Sequence, residues 1–149
     1  MKEDRFGDFV TAITGIYRDV QKLKSANTMQ LGLKNVHVFW LYLLAVNPEG
    51  LSASQLAEAG RTTRALVSRE IEYLIEKGYI TANGATGHRR YGWKFVLTEQ
   101  GSEVAERIKY IARSVQDHVS RDIPEEDLIV FYRTLNLLLT GFDELTERE

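Results

Sequence analysis

Between Arg61 and Arg69 the chain reads RTTRALVSR, which puts three arginines and three hydroxyl side chains within nine residues. Guanidinium groups form bidentate pairs with phosphate oxygens or with the O6/N7 edge of guanine, and hydroxyls donate to phosphate. Further along, His88-Arg89-Arg90 follows the turn-forming run Asn83-Gly84-Ala85-Thr86-Gly87. Adjacent guanidiniums on a Gly-flanked tip repel each other unless an anion lies between them, and the narrow minor groove of a duplex supplies that negative potential. Both clusters point to one chemistry, the gripping of duplex DNA. Taken singly, each is also an ordinary solvated helix face or hairpin tip, so the elements that carry them decide the reading.

Those elements form an order. Ser52, with Gln55 three residues later, is a capping-box pattern that opens a short helix. Gly60 is expected to supply the positive φ of a sharp turn. Thr62 or Thr63 then caps a second helix that buries Leu66, Val67, Ile71 and Leu74 and stops at Lys77-Gly78. This leaves Arg61, Thr62, Thr63, Arg64, Ala65, Ser68 and Arg69 as its outward set. Tyr79–Thr81 reads as a strand, and Tyr91, Trp93, Phe95 and Leu97 alternate with Gly92, Lys94 and Val96 at the period of a second. Trp93 and Phe95 could stack on bases, but their alternation just before a helix favours core packing. Helix, turn, helix, strand, basic tip, strand is a helix-turn-helix followed by a two-stranded wing.

Long helices flank this unit. Phe6, Phe9, Val10, Ile13, Tyr17, Val20 and Leu23 fall at steps of three and four, which predicts one helix over about 3–26. Residues 35–46 are apolar on nearly every side and belong in the middle of the domain, and Asn47-Pro48-Glu49-Gly50 ends them. Thr98 is expected to cap a helix over about 99–119. Pro124, with Glu125, Glu126 and Asp127 after it, fits the start of a last helix striped by Leu128, Phe131, Leu135, Leu138 and Phe142. The fold class is therefore mainly α, an α+β winged helix. Residues 1–34 are an N-terminal dimerisation helix, 35–98 a winged helix-turn-helix DNA-binding domain, and 99–149 C-terminal dimerisation helices. Amphipathic helices outside a compact winged core need a partner, and an identical chain is the simplest.

Charge supports the division. The whole chain carries a net charge of −2. Residues 51–94 carry +3, from Arg61, Arg64, Arg69, Lys77, Arg89, Arg90 and Lys94 against Glu58, Glu70, Glu72 and Glu76. Residues 95–149 carry −6 and the first fifty +1. Positive charge sits on the reading head, so the local sign outweighs the total.

Other chemistries find little footing. There is no cysteine, which removes disulfides, thiolate metal sites and a thiol redox sensor, and it fits a cytoplasmic location. His37, His88 and His118 have no i, i+3 or i, i+4 spacing, so no metal motif exists in sequence, and His37 reads as a structural hydrogen-bonding residue. A site assembled across helices, such as His37 with His118, is the open alternative. No phosphate loop, GxSxG elbow or cofactor fingerprint is present, so neither an enzyme nor a cofactor is expected. MKEDRFGDF lacks an apolar leader core, and the run Val38–Val46 is too short to span a bilayer. No membrane partner is expected.

The span LSASQLAEAGRTTRALVSREIEYLIEKGYI, then the Gly/Arg wing, then FVLTEQG, resembles the MarR family of bacterial winged-helix regulators. The resemblance rests on Leu-Ala in the first helix, ValSerArg–(x)4–Leu–(x)2–LysGly in the second, and LeuThr–(x)2–Gly after the wing, with flanking helices in matching order. It implies a homodimeric, sequence-specific transcription regulator, more often a repressor, with one recognition helix per major groove and a wing along each neighbouring minor groove. Thr62–Arg69 would read bases in pseudo-palindromic half-sites. Ser52, Ser54 and Gln55 would touch the backbone, and His88, Arg89, Arg90 and Lys94 would belong to the wing. The family's wing often has an Asp two residues before its arginine. Those slots here hold Arg89 and Tyr91, with Arg90 between, and either arginine can take the minor-groove position. Family members are often released by a small aromatic or anionic effector. Phe9, Ile13, Tyr17, Phe39 and Trp40 could line a pocket for one, or could equally be core. The rival reading is a winged helix that docks another protein without DNA.

Overall fold

Strong local signals account for most of the chain's elements. The computed structural model describes residues 4–83 and 93–147, the side chains of Gln30 and Asn83 excepted. Helix α1 (Arg5–Thr28) runs through a single 3-10 turn (Met29–Leu31) into α2 (Asn35–Val46). A two-residue strand β1 (Leu51–Ser52) leads to α3 (Ala53–Gly60) and then α4 (Arg64–Glu76). Strands β2 (Ile80–Asn83) and β3 (Lys94–Leu97) follow, then α5 (Glu99–Ser120) and α6 (Glu125–Thr146). The fold is a mainly helical winged helix with a small antiparallel sheet of order β1-β3-β2.

The sheet has three strands where two are expected. Residues 51–52 are too short to show a period, and they become a strand only by pairing with β3, Leu51 opposite Phe95 and Ser52 opposite Lys94. On its other edge β3 pairs with β2, Ile80 opposite Leu97 and Ala82 opposite Phe95. Of the expected strand from Tyr91 to Leu97, Lys94–Leu97 are strand and Trp93 is not, while Tyr91 and Gly92 lie outside the described residues.

Two compact units divide the chain. In the first, Met1–Tyr110, the core packs Trp40, Leu41 and Leu44 of α2 against Leu56 of α3, Val67, Ile71 and Leu74 of α4, and Ile80 and Phe95 of the sheet. The nearly continuous apolar character of α2 follows from this central position. Helix α4 ends where Gly78 adopts φ +79°, with Tyr79 N–H donating to the Leu74 carbonyl at 3.0 Å, a closure that favours glycine. Helix α1 buries only Thr28, and Phe6, Ile16 and Tyr17 stay exposed. The second unit, Ile111–Glu149, holds the end of α5 and all of α6, which has no buried residue. Pro124, expected at the first helical position, stands instead at the N-cap of α6, which begins at Glu125. No helix among the described residues is long and apolar enough to cross a membrane.

One turn corrects a sequence expectation. Gly60 is not the residue with positive φ. It remains helical, and Arg61 takes the left-handed conformation at φ 52°. The glycine is needed for a different reason, since a Cβ there would collide with the indole ring of Trp40. Close packing of α3 on α2, rather than backbone freedom, sets residue 60.

Candidate nucleic-acid interface

Two helix caps underlie the candidate surface. Ser52 Oγ accepts from Gln55 N–H at 3.2 Å, and Gln55 Oε1 accepts from Ser52 N–H at 2.8 Å, the reciprocal capping box its spacing predicts. Thr63, not Thr62, caps α4, its Oγ1 accepting from Leu66 N–H at 3.1 Å. The hydroxyl satisfies one first-turn N–H, and those of Arg64 and Ala65 have no acceptor within the helix by geometry. That end of α4 presents the positive pole of its dipole.

Burial sorts α4 into two faces. Val67, Glu70, Ile71 and Leu74 are buried, whereas Arg64, Ala65, Ser68 and Arg69 are exposed. Leu66, expected inside, is half-buried. Arg61 and Thr63 are exposed and Thr62 half-buried in the turn before the helix. Positions 61–65 and 68–69 therefore form one continuous hydrophilic edge on a rigid support.

The pairing of β1 with β3 adds a contact that sequence reading did not foresee. Residues directly opposite in an antiparallel pair project to the same face, so the exposed Lys94 lies beside Ser52 at the start of α3. A lysine, a hydroxyl and a helix N-terminus thus meet at one place. Ser54 is exposed nearby. Ser52 and Gln55 spend their acceptor oxygens on the cap, which leaves the Ser52 hydroxyl proton and the Gln55 side-chain NH2 as donors. His88, Arg89 and Arg90 lie outside the described residues.

The five residues of the expected effector pocket do not share one environment. Trp40 is 1% exposed in the core beneath Gly60. Phe39 is partly buried beside it, ring centroids 5.3 Å apart, with Lys24 Nζ 5.6 Å from its ring. Burial holds the Lys24 amine below its ordinary pKa. Phe9 is half-buried, whereas Ile13 and Tyr17 lie on the open face of α1. His37 spends both ring nitrogens inside the protein, on Lys34 and Glu70. Among the described residues no three His, Asp or Glu side chains gather as a metal site.

Residues 31–90 match the sequence model of the MarR family. The matched residues span α2, α3 and α4 and reach past β2. The likeness of fold extends well beyond them. S. aureus MepR in its DNA-binding conformation is 18% identical, with 90% of this chain and 98% of that one covered and a TM-score of 0.82. Streptococcus pneumoniae FabT in complex with DNA is 17% identical, with coverage of 94% and 99% and a TM-score of 0.76. A MarR transcriptional regulator from Methanosarcina mazei Go1 is 18% identical, with coverage of 93% and 99% and a TM-score of 0.75. No curated protein matches the chain in sequence. Beyond the matched residues, the LeuThr–(x)2–Gly motif at Leu97, Thr98 and Gly101 has a clear structural role. Thr98 Oγ1 donates to the Gly78 carbonyl at 2.6 Å and accepts from Gly101 N–H at 3.0 Å, which locks α5 onto the end of α4.

Proposed function

We propose that this protein is a DNA-binding transcription regulator without enzymatic activity, acting as a homodimer on pseudo-palindromic duplex sites. The observation that carries the reading is the hydrophilic edge of α4, with Arg64, Ser68 and Arg69 exposed at the positive end of a helix whose opposite face is core. The MarR-family match and the DNA-bound FabT of similar fold support it. In this reading Arg61–Arg69 enter the major groove, Lys94 with Ser52, Ser54 and Gln55 meets phosphates, and His88, Arg89 and Arg90 approach the minor groove. Repression is the expected mode.

The test is a titration with random duplex at low and moderate salt. Counterion release predicts a steep linear fall of log K with log salt, by ~0.9 per phosphate contact. Replacing Arg89 and Arg90 by Ala should weaken binding to every sequence and flatten that slope by roughly 2. Absence of binding even at low salt would instead favour the protein-docking module.

Dimerisation rests on the open apolar faces. Leu137 of α6 is 69% exposed and Tyr17 of α1 is 63% exposed, and contiguous faces of this kind mark partner surfaces. Sedimentation at micromolar concentration should give twice the 17.0 kDa chain mass. A monomer at that concentration would remove the paired-head reading. A small aromatic or anionic effector fits best near Lys24 and Phe39, where a partly buried cation faces an aromatic ring.

A further inference from the structure

The buried face of α4, opposite its arginines, holds an ionisable contact. Glu70 interrupts the apolar series Val67, Ile71 and Leu74, and its side chain is 10% exposed. Its Oε2 lies 2.5 Å from Nε2 of His37, whose side chain is wholly buried at the start of α2. The other ring nitrogen, Nδ1, accepts the backbone N–H of Lys34 at 3.0 Å. A backbone amide can only donate, so Nδ1 must be bare and the ring proton must sit on Nε2, aimed at the Glu70 carboxylate. His37 is therefore held as one defined neutral tautomer.

The surrounding groups tie the same two segments together. Lys34 Nζ lies 3.7 Å from Glu70 Oε1. Tyr73, one turn beyond Glu70, stacks on the His37 ring with centroids 4.6 Å apart and planes 8° from parallel. Its hydroxyl donates to the Gly32 carbonyl at 2.7 Å, and Lys77 Nζ lies 5.5 Å from its ring. Residues 32–37, the end of the connection from α1 and the first turn of α2, are thus fastened to one face of α4. Lys34 from the connection and Glu70, Tyr73 and Lys77 from α4 are the ionisable groups that surround the ring.

A second proton on His37 can only go to Nδ1, where it would confront the Lys34 N–H. The ring must then rotate or the first turn of α2 must open, and both movements disturb Glu70. Resting on the DNA-binding reading above, we propose that His37 is a positioning residue for the recognition helix, and that its protonation uncaps α2, shifts α4 and weakens DNA binding. Burial holds the His37 pKa below its ordinary value, more strongly than Glu70 raises it. The unfolded chain therefore takes up this proton first. The contact's stabilisation is complete above about pH 6.5 and declines as pH falls through that value towards the folded pKa.

The experiment compares the full-length protein with His37→Gln, whose side-chain amide can still donate to Glu70 but does not titrate. The probe is a duplex selected from a random library for tightest binding. As pH falls below about 6.5 the wild type should lose affinity more steeply than the variant, by at most tenfold per pH unit, the limit for uptake of one proton. His88 is present in both proteins and cancels from the comparison. Parallel pH profiles, with both proteins folded by circular dichroism, would overturn the proposal. If no duplex is selected, the DNA reading fails by itself, and amide NMR shifts of residues 64–69 decide the positioning role. Movement with pH in the wild type alone supports it, and equal movement in both proteins overturns it. Should His37→Gln not fold, the wild type suffices: the imidazole nitrogens of His37 and the amides of 64–69 must titrate with one midpoint, and separate midpoints overturn the coupling.

Discussion

Replacing Arg69 by Ala should relax base preference, whereas replacing Arg64 should weaken binding to all duplexes about equally. The two residues are five positions apart, which at 3.6 residues per turn separates them by about 140° around α4. Taking Val67, Glu70, Ile71 and Leu74 as the inward side, Arg69 points nearly away from the core, in line with Ala65. Arg64 lies on the flank, near the edge of the buried face. One groove floor cannot meet both side chains in the same way. In the proposed DNA-binding reading Arg69 would meet a base edge, where a bidentate pair is worth ~1–3 kcal/mol of discrimination. Arg64, at the first helical position, would in that reading meet a phosphate on the groove wall. Removing it should reduce the salt slope by roughly 0.9 without changing the preferred sequence. Removing both should leave only weak, strongly salt-dependent attachment. Binding to a selected duplex and to a random one, at several salt concentrations, separates the two roles. A loss of sequence preference in Arg64→Ala but not in Arg69→Ala would reverse the assignment, and unchanged affinity in both would remove α4 from the interface.

What could be read from sequence was local. Ser52 with Gln55, a threonine cap before Arg64 and the stop at Gly78 all act within four residues, and spacing predicts them, although it leaves Thr62 and Thr63 as alternative caps. The exposed edge of α4 followed from its apolar period. Features formed by distant residues were not visible in this way. Strand β1 exists only because β3 lies beside it, so Lys94 was placed in the wing without its neighbour Ser52. Gly60 carried a turn signal, but its small size answers to Trp40, twenty residues earlier. Glu70 offered a clue that went unused, a charge within the inward series 67, 70, 71 and 74. A buried carboxylate requires a partner, and His37, thirty-three residues away, is that partner. The pocket residues illustrate the converse, because aromatic character alone does not separate a buried Trp40 from an exposed Tyr17.

Gly101→Ala should be far more damaging than Gly60→Ala, although both add one methyl group to a helix. In the first turn of α5, a Cβ at 101 would overlap the backbone carbonyl of Tyr79. That carbonyl cannot swing aside. Tyr79 is 8% exposed, and its carbonyl accepts the Thr98 N–H at 3.0 Å at the close of the β2–β3 pairing. Relief requires α5 to move off the winged helix, which would break the Thr98 bonds to Gly78 and Gly101. At 60 the obstacle is the edge of the Trp40 ring, a side chain that can tilt at the cost of core packing, typically ~1–3 kcal/mol. Alanine gains about 1 kcal/mol over glycine in helix propensity, which offsets part of the loss at 60 but little of it at 101. Overpacking against backbone should cost about 3 kcal/mol or more, among the large effects known for single substitutions. For a chain of this size that corresponds to a fall in Tm of ~6–12 °C, measurable by calorimetry. If the two variants melt together, the close approach of α5 to Tyr79 does not hold this fold. If Gly101→Ala alone melts early, the glycine of the LeuThr–(x)2–Gly motif serves to let α5 lie directly on the backbone at Tyr79.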